Sequence, residues 1–230
     1  MKIPSYLLNP FDRININQFD LNNYENQIDN LLKNKKKNSK IYDIVIMAAG
    51  KNSRININYP KSLIKLQYPN KETTLIENLI NILLITKIKI NKIYLVVRKE
   101  NKSNFNFLIK KYSNIELIDL DENQIKGTTR CLIESYKKIK SKDFILMWGD
   151  IALISRRVIH NISILHSKYN PMMSFPTCIK KDPYLSIQRD KYGNIRKVRH
   201  NKKKIIRNIF SEQDLSFFFC KTKIIKYLML

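Results

Sequence analysis

The chain reads as an α/β protein built on a doubly wound sheet, and three observations predict that fold. From Ile41 onward, short apolar runs of strand length alternate with segments of helical periodicity. The first run, Ile41 to Ala49, is almost unbroken, as expected of a strand covered on both faces of a parallel sheet. Glycine is also rare: four in 230 residues, where a usual frequency would give roughly sixteen. Three of the four fall at strand ends or helix starts, the rim where open α/β sheets bind ligands.

Taken in order, residues 1–40 read as an N-terminal extension. Leu21, Tyr24, Ile28, Leu31 and Leu32 recur at helical spacing after a cap at Asp20, and the pattern runs into a basic linker, Lys33 to Lys40. This amphipathic helix offers a face for the main domain, for a partner or for self-association. The main domain is expected over 41–230. After the first strand comes a loop, then a capping box, Thr74 to Glu77, which starts a helix carrying Leu75, Ile76, Leu79, Ile80, Leu83 and Leu84. Further strands are expected at Ile93 to Val97, Ile115 to Leu120 and Phe144 to Trp148, with helices at Phe105 to Tyr112, Thr128 to Ile139 and Ser155 to Tyr169. Beyond Pro171 short strands take over: Met172 to Ile179, Tyr184 to Arg189, Ile195 to Val198 and Leu215 to Phe219. The segment Asp190 to Asn194, with Gly193 at its turn, reads as a hairpin.

Charge and cysteine content narrow the function classes. Lys and Arg number 43 against 19 Asp and Glu, a net charge of +24. Nucleic-acid selection would raise Lys and Arg alone, whereas here 37 Ile, 33 Lys and 26 Asn rise together, the signature of AT-rich coding. Nucleic acid is therefore not the expected partner, although a basic surface steers anionic substrates. Cys131, Cys178 and Cys220 are scattered and form no CxxC pair, so neither a zinc site nor a disulfide framework follows. No signal peptide or membrane-spanning run is present in the sequence, and a cytoplasmic protein is expected.

The chemistry concentrates after the first strand, in MAAGKNSRININYPKSL, Met47 to Leu63. A strand ending Ala-Ala-Gly lets backbone approach a bound group, because nothing larger than a methyl intervenes, and the amides beyond it can cradle phosphate oxygens. Arg54 and Lys61 then supply cations within one loop. Alone, each is a solvated lysine or arginine among many. The string AAGxxSR, followed after five residues by PKSL, is far more specific.

That string resembles the signature loop of the sugar-nucleotide pyrophosphorylases, written AAGxGTR with a following PK. Its spacing is similar to that of the N-acetylglucosamine-1-phosphate uridylyltransferases, within the wider MobA-like nucleotidyltransferases. Lys126-Gly127-Thr128 resembles their base-reading LGT segment. FILMWGDIALIS, Phe144 to Ser155, resembles the strand that delivers a metal-binding aspartate, and PYLSIQRDKYGNIRKV, Pro183 to Val198, is similar to their YGRI and IVE hairpin. The resemblance covers Ile41 to Leu230 and implies a Rossmann-like mixed sheet of the nucleotide-diphospho-sugar transferase type. It implies in-line attack of a sugar-1-phosphate on the α-phosphate of a nucleoside triphosphate, UTP favoured, with release of pyrophosphate. Ala48, Ala49, Gly50, Lys51 and Ser53 would shape the nucleotide site, with Gly127 and Thr128 at the base. Arg54 would bind the leaving phosphates, Lys61 would stabilise the reacting phosphate, and Asp150 would hold Mg²⁺.

Departures cluster in the acceptor half. Asn52 replaces a second glycine, a substitution that asparagine tolerates best. Leu185 replaces the glycine of YGRI, Arg199 stands where a sugar-binding glutamate is usual, and Ser211 to Phe219 lacks an Asn-Thr-Gly. The chain ends at Leu230, before the second metal-binding residue of the family. These departures keep two other outcomes open: a nucleotidyltransferase with a phosphocholine or molybdenum-cofactor acceptor, and a truncated, inactive nucleotide-binding domain.

Overall fold

The computed structural model describes residues 40–51, 57–68, 71–151, 154–190, 192–200 and 210–229. The expected helix over Leu21 to Leu32 lies outside them. The described residues divide into two compact units, a main one of residues 40–174 with 216–229 and a smaller one of residues 175–215.

The main unit holds a six-stranded mixed sheet. Four strands run parallel: β1 (Ile41–Met47), β4 (Lys89–Arg98), β5 (Ile115–Leu120) and β6 (Asp143–Trp148). Two antiparallel strands, β12 (Phe217–Lys221) and β7 (Met173–Ser174), complete the order β5-β4-β1-β6-β12-β7. The chain winds outward from β1 to β4 and β5, then crosses back to place β6 on the other side of β1. The reversal makes the gap between the carboxyl ends of β1 and β6 a topological switch point, where such sheets open a crevice.

The apolar run of β1 is explained by helices on both faces. Tyr42, Ile44 and Ile46 pack on one side with Ile76, Leu79, Ile80 and Leu83 of helix α1 (Leu75–Ile85), Leu108 of α2 (Asn106–Lys111) and Ile159 of α4 (Arg156–Tyr169). Val45 and Met47 face the other side with Cys131 and Leu132 of α3 (Thr128–Ser135) and Ile225 of α5 (Ile224–Leu228). Each fully buried Ile or Leu contributes about 1.5–3 kcal/mol. The capping box at Thr74 is present in full: Glu77 N donates to Thr74 Oγ1 at 3.2 Å, and Thr74 N donates back to Glu77 Oε2 at 3.3 Å. Helix α4 ends at Asn170, which takes the left-handed conformation that asparagine tolerates.

The smaller unit is a four-stranded antiparallel sheet of β8 (Thr177–Lys181), β9 (Leu185–Arg189), β10 (Ile195–His200) and β11 (Phe210–Asp214), in the order β10-β9-β11-β8. The Asp190 to Asn194 hairpin forms as expected. Gly193 sits at φ 85°, and the Asp190 carboxylate accepts from Tyr192 N and Asn194 N, each at 2.9 Å. Arg189 grips the buried Glu212 through two nitrogens, at 2.7 and 2.6 Å, and donates to Gly193 O at 2.8 Å.

Several boundaries differ from the sequence expectation. The first strand stops at Met47, and the loop after it contains a 3₁₀ turn, Lys61–Leu63, and a small hairpin, β2 (Lys65–Tyr68) with β3 (Lys71–Thr74). The expected strand Met172 to Ile179 is two strands in two sheets, broken at Phe175-Pro176 because proline lacks the ladder N–H. The expected strand Leu215 to Phe219 is likewise interrupted by Ser216, whose φ of 61° turns the chain out of extended geometry between β11 and β12. Among the described residues, no helix is long and apolar enough to cross a membrane.

Candidate functional site

A cavity of about 260 Å³ opens at the switch point. Ala48, Ala49, Gly50, Lys51, Lys61, Gly127, Thr128 and Asp150 all line it, so eight of the ten residues singled out in the sequence converge on one hollow of the main unit. Ser53 and Arg54 lie outside the described residues, as does Asn52.

Strand ends set its floor. Ala48 N donates to Val96 O at 2.8 Å, and Gly149 N donates to Met47 O at 2.9 Å, so both sheet ladders continue to the cavity rim. Among the described residues, its chain neighbours apart, none has an atom within 4 Å of where a Cβ on Gly50 would stand. A Cβ at Gly149 would instead meet Ala48 Cβ, Ile76 Cδ1 and Ser62 Cβ, each at 3.3 Å, which makes Gly149 a packing requirement behind the cavity wall. Gly127 adopts φ 88° as the residue before α3, and its carbonyl receives Cys131 N at 3.2 Å. It turns the chain sharply so that α3 starts at the cavity edge.

The charges are placed by short turns. Lys61 opens a 3₁₀ turn closed by Leu63 N to Pro60 O at 2.8 Å and Ile64 N to Lys61 O at 3.0 Å. Its ammonium lies 3.7 Å from Asp150 Oδ2, an ion pair looser than a hydrogen bond, with Asp150 about half exposed. Asp150 does not cap the following helix, because Ser155 occupies the N-cap position of α4. Lys51, at the cavity mouth, pairs with Glu122, which also takes Arg98. Hydrogen bonds from Lys51 and then Arg98 hold the Glu122 carboxyl down at about 2.

Sequence reasoning assigned no role to Met47, Ser62, Ile125, Cys131 and Trp148, which also line the cavity. Trp148 packs against Phe218 with ring centroids 5.6 Å apart. It was visible inside the WGD string, next to Gly149. Cys131 lies one helical turn beyond Gly127, and burial pushes its thiol above the usual range. Ser62 is buried, and its Oγ has no hydrogen-bond partner among the described residues.

His160 and His166 both lie on α4. His166 is fully buried, its ring nitrogens 2.9 Å from Ser174 Oγ and 3.1 Å from Asp143 Oδ1, bracing α4, β7 and β6. Among the described residues no group of three or more His, Cys, Asp or Glu is arranged to hold a metal. Leu185 and Arg199, two of the departures noted above, belong to the smaller unit, on β9 and β10.

No established protein-family profile matches the chain. It is 31% identical over 176 residues to the bifunctional protein GlmU of Buchnera aphidicola subsp. Schizaphis graminum, a match covering 76% of this chain and 33% of that protein. The chain thus spans about a third of the length of the curated relatives it matches. Among solved structures, HddC from Yersinia pseudotuberculosis complexed with GMP-PN is similar, with a TM-score of 0.60 and 18% identity over 80% of this chain and 79% of that one. A UDP-glucose pyrophosphorylase complexed with UDP-glucose is similar too, with a TM-score of 0.60 and 14% identity over 82% and 79%.

Proposed function

Because the chain belongs to the sugar-nucleotide nucleotidyltransferase family, we propose that it transfers a nucleoside monophosphate from a nucleoside triphosphate, UTP favoured, to a sugar-1-phosphate, releasing pyrophosphate. The observation that carries this reading is the convergence of Ala48 to Lys51, Lys61, Gly127, Thr128 and Asp150 on a single cavity at the switch point.

The reaction suits the residues. A sugar-1-phosphate is already an anion and needs no general base, so the work is positioning and charge stabilisation. Small residues at Ala48, Ala49 and Gly50 leave room for phosphates against the backbone. Lys61, fixed by its turn, supplies positive charge at the cavity wall, where developing phosphate charge is stabilised. In the absence of substrate Asp150 balances Lys61, which limits the cost of an unpaired ammonium in a partly enclosed site. Gly127 and Thr128, at the start of α3, would contact the base, and Arg54 the leaving phosphates.

Asp150 is the one carboxylate among the described lining residues and is half exposed, which fits Mg²⁺, an ion commonly held by one or two carboxylates plus substrate phosphates and water. Asp150 would hold it, and the ion would neutralise charge on the phosphate oxygens. The base is the least constrained element, since one structural neighbour carries GMP-PN and another UDP-glucose.

Pyrophosphate release, measured with each of the four triphosphates against a panel of sugar-1-phosphates, phosphocholine and molybdopterin, tests the reading. Turnover with UTP and a sugar-1-phosphate supports it. Turnover only with another acceptor transfers the chain to that branch. Lys61→Ala and Asp150→Asn are each expected to lower turnover by about 100-fold or more while leaving the circular dichroism spectrum unchanged. Activity near wild type in either variant would remove that residue from the mechanism.

A further inference from the structure

At the other end of the same strands, around the first residue of β6, the main unit carries a second and larger hollow of about 740 Å³. Asp143 in its wall and Trp148 in the wall of the cavity described above are the two ends of β6, five residue steps or about 17 Å apart along the strand. Lys137, Lys140, Lys142, Lys221, Lys223 and Lys226 line it. The one carboxylate in its wall, Asp143, is already engaged by Lys40 Nζ at 3.0 Å and by His166 at 3.1 Å.

Some lysines elsewhere in the main unit find carboxylates: Lys92 and Lys138 share Glu116, Lys102 meets Asp119, and Lys111 meets Glu77. Among the described residues, none of the six basin lysines forms an ion pair. The loop that presents Lys140 and Lys142 is also fixed from below. The fully buried carboxylate of Asp43 accepts Lys140 N at 2.7 Å and Ser141 N at 2.8 Å, and Asn91 at 2.8 Å on its other oxygen. Thr222 Oγ1 donates to Ser141 O at 2.6 Å, tying the adjoining turn to the same loop.

We propose that this basin binds a soluble oligophosphate, a small molecule bearing three or more phosphate groups close together. Six unpaired ammonium groups around one concavity repel each other, and that repulsion is relieved by a ligand of high negative charge density. Lysines bind phosphate as point charges without demanding a fixed fork geometry, which suits a compact chain or ring of phosphates. The volume lies in the range of small-molecule sites, about 300–1,000 Å³. Tyr136 is the one aromatic side chain in the lining, so the stacking platform typical of single-stranded nucleic-acid sites is missing among the described lining residues. The proposal stands on the main unit alone and is independent of the nucleotidyltransferase reading.

Calorimetric titration with inorganic tripolyphosphate at about 150 mM salt tests it, because screening over roughly 8 Å removes weak surface attraction. Saturable binding is expected. The triple variant Lys140→Glu, Lys142→Glu, Lys226→Glu should lose affinity by about 30-fold or more, and Lys61→Ala should stay within about threefold of wild type. Thermal melting of the triple variant near wild type serves as the folding control, and single Lys140→Gln and Lys226→Gln changes should each weaken binding about two- to fivefold. The proposal is overturned by the absence of saturable binding at that salt, by binding lost in Lys61→Ala, or by binding that persists unchanged when the triple change is added to Lys61→Ala. It also fails if a single-stranded oligonucleotide or phosphatidylserine-containing vesicles bind more tightly than tripolyphosphate and lose that binding in the triple variant.

Discussion

Glycines that look alike in the sequence carry different obligations in the fold. Gly149 is hemmed in by three carbons at 3.3 Å, so Gly149→Ala forces Ala48, Ile76 or Ser62 to shift and should cost about 1–2 kcal/mol in urea unfolding. Gly50 meets no such neighbour among the described residues, so Gly50→Ala should change stability by less than about 0.5 kcal/mol. The same methyl would sit where phosphates are expected, so the nucleotide-induced rise in melting temperature should shrink. A normal nucleotide response in Gly50→Ala would place the phosphates elsewhere. Asp43 gives the strongest single-residue expectation. Its removal orphans two backbone amide donors and the Asn91 side chain around a fully buried position, and Asp43→Ala should destabilise the main unit by about 3 kcal/mol, read as a lowered denaturant midpoint.

Elements were legible in the sequence where one local signal sufficed. The Thr74 to Glu77 box marked the start of α1, and Thr74→Ala should cost about 1 kcal/mol, measured by thermal unfolding. The parallel strands were legible because burial on both faces leaves continuous apolar runs, and Gly193 marked its hairpin because only the turn needs a positive φ. Failures came where register or partnership, not pattern, decides. The β2/β3 hairpin is too short to read: β2 alternates over only four residues, Lys-Leu-Gln-Tyr, and β3, Lys-Glu-Thr-Thr, carries no apolar side chain of a strand face. Met172 to Ile179 looked like one strand because hydrophobicity does not report which of two sheets a residue joins, and Leu215 to Phe219 because it does not report the positive φ of Ser216. In the site, the motif residues were visible because phosphate chemistry constrains backbone and charge together. Glu122 was invisible, since its partners Lys51 and Arg98 meet it only through the fold.

Across the whole molecule, carboxylates set the acid limit of stability. Hydrogen bonds from Lys51 and Arg98 lower Glu122 to about 2; those from Lys138 and Lys92 lower Glu116, and one from Lys102 lowers Asp119. Burial alone would raise Asp143, but hydrogen bonds from His166 and Lys40 outweigh it and leave that carboxyl below its ordinary value as well. A folded value below the unfolded one means the stabilisation is complete above the ordinary carboxylate range and is lost as pH falls through the lowered values. The melting temperature should therefore hold from about pH 5 to neutrality and fall steadily below about pH 4. At pH 7 the excess of 43 cationic over 19 anionic side chains makes net repulsion outweigh individual ion pairs, so added salt should raise the melting temperature. A fall with salt would mean that the ion pairs dominate. The cysteines, finally, are divided between the two units: Cys131 and Cys220 are buried in the main sheet's core, while Cys178 stands on β8 of the smaller sheet. Burial pushes the Cys220 thiol up to about 12 and raises the other two, so none is a ready nucleophile while its surroundings stay closed. Alkylation by iodoacetamide at neutral pH then becomes a clock for opening. Modification of the buried Cys220 times excursions of the larger sheet, with the half-buried Cys178 of the smaller sheet as the internal reference, in one untagged chain.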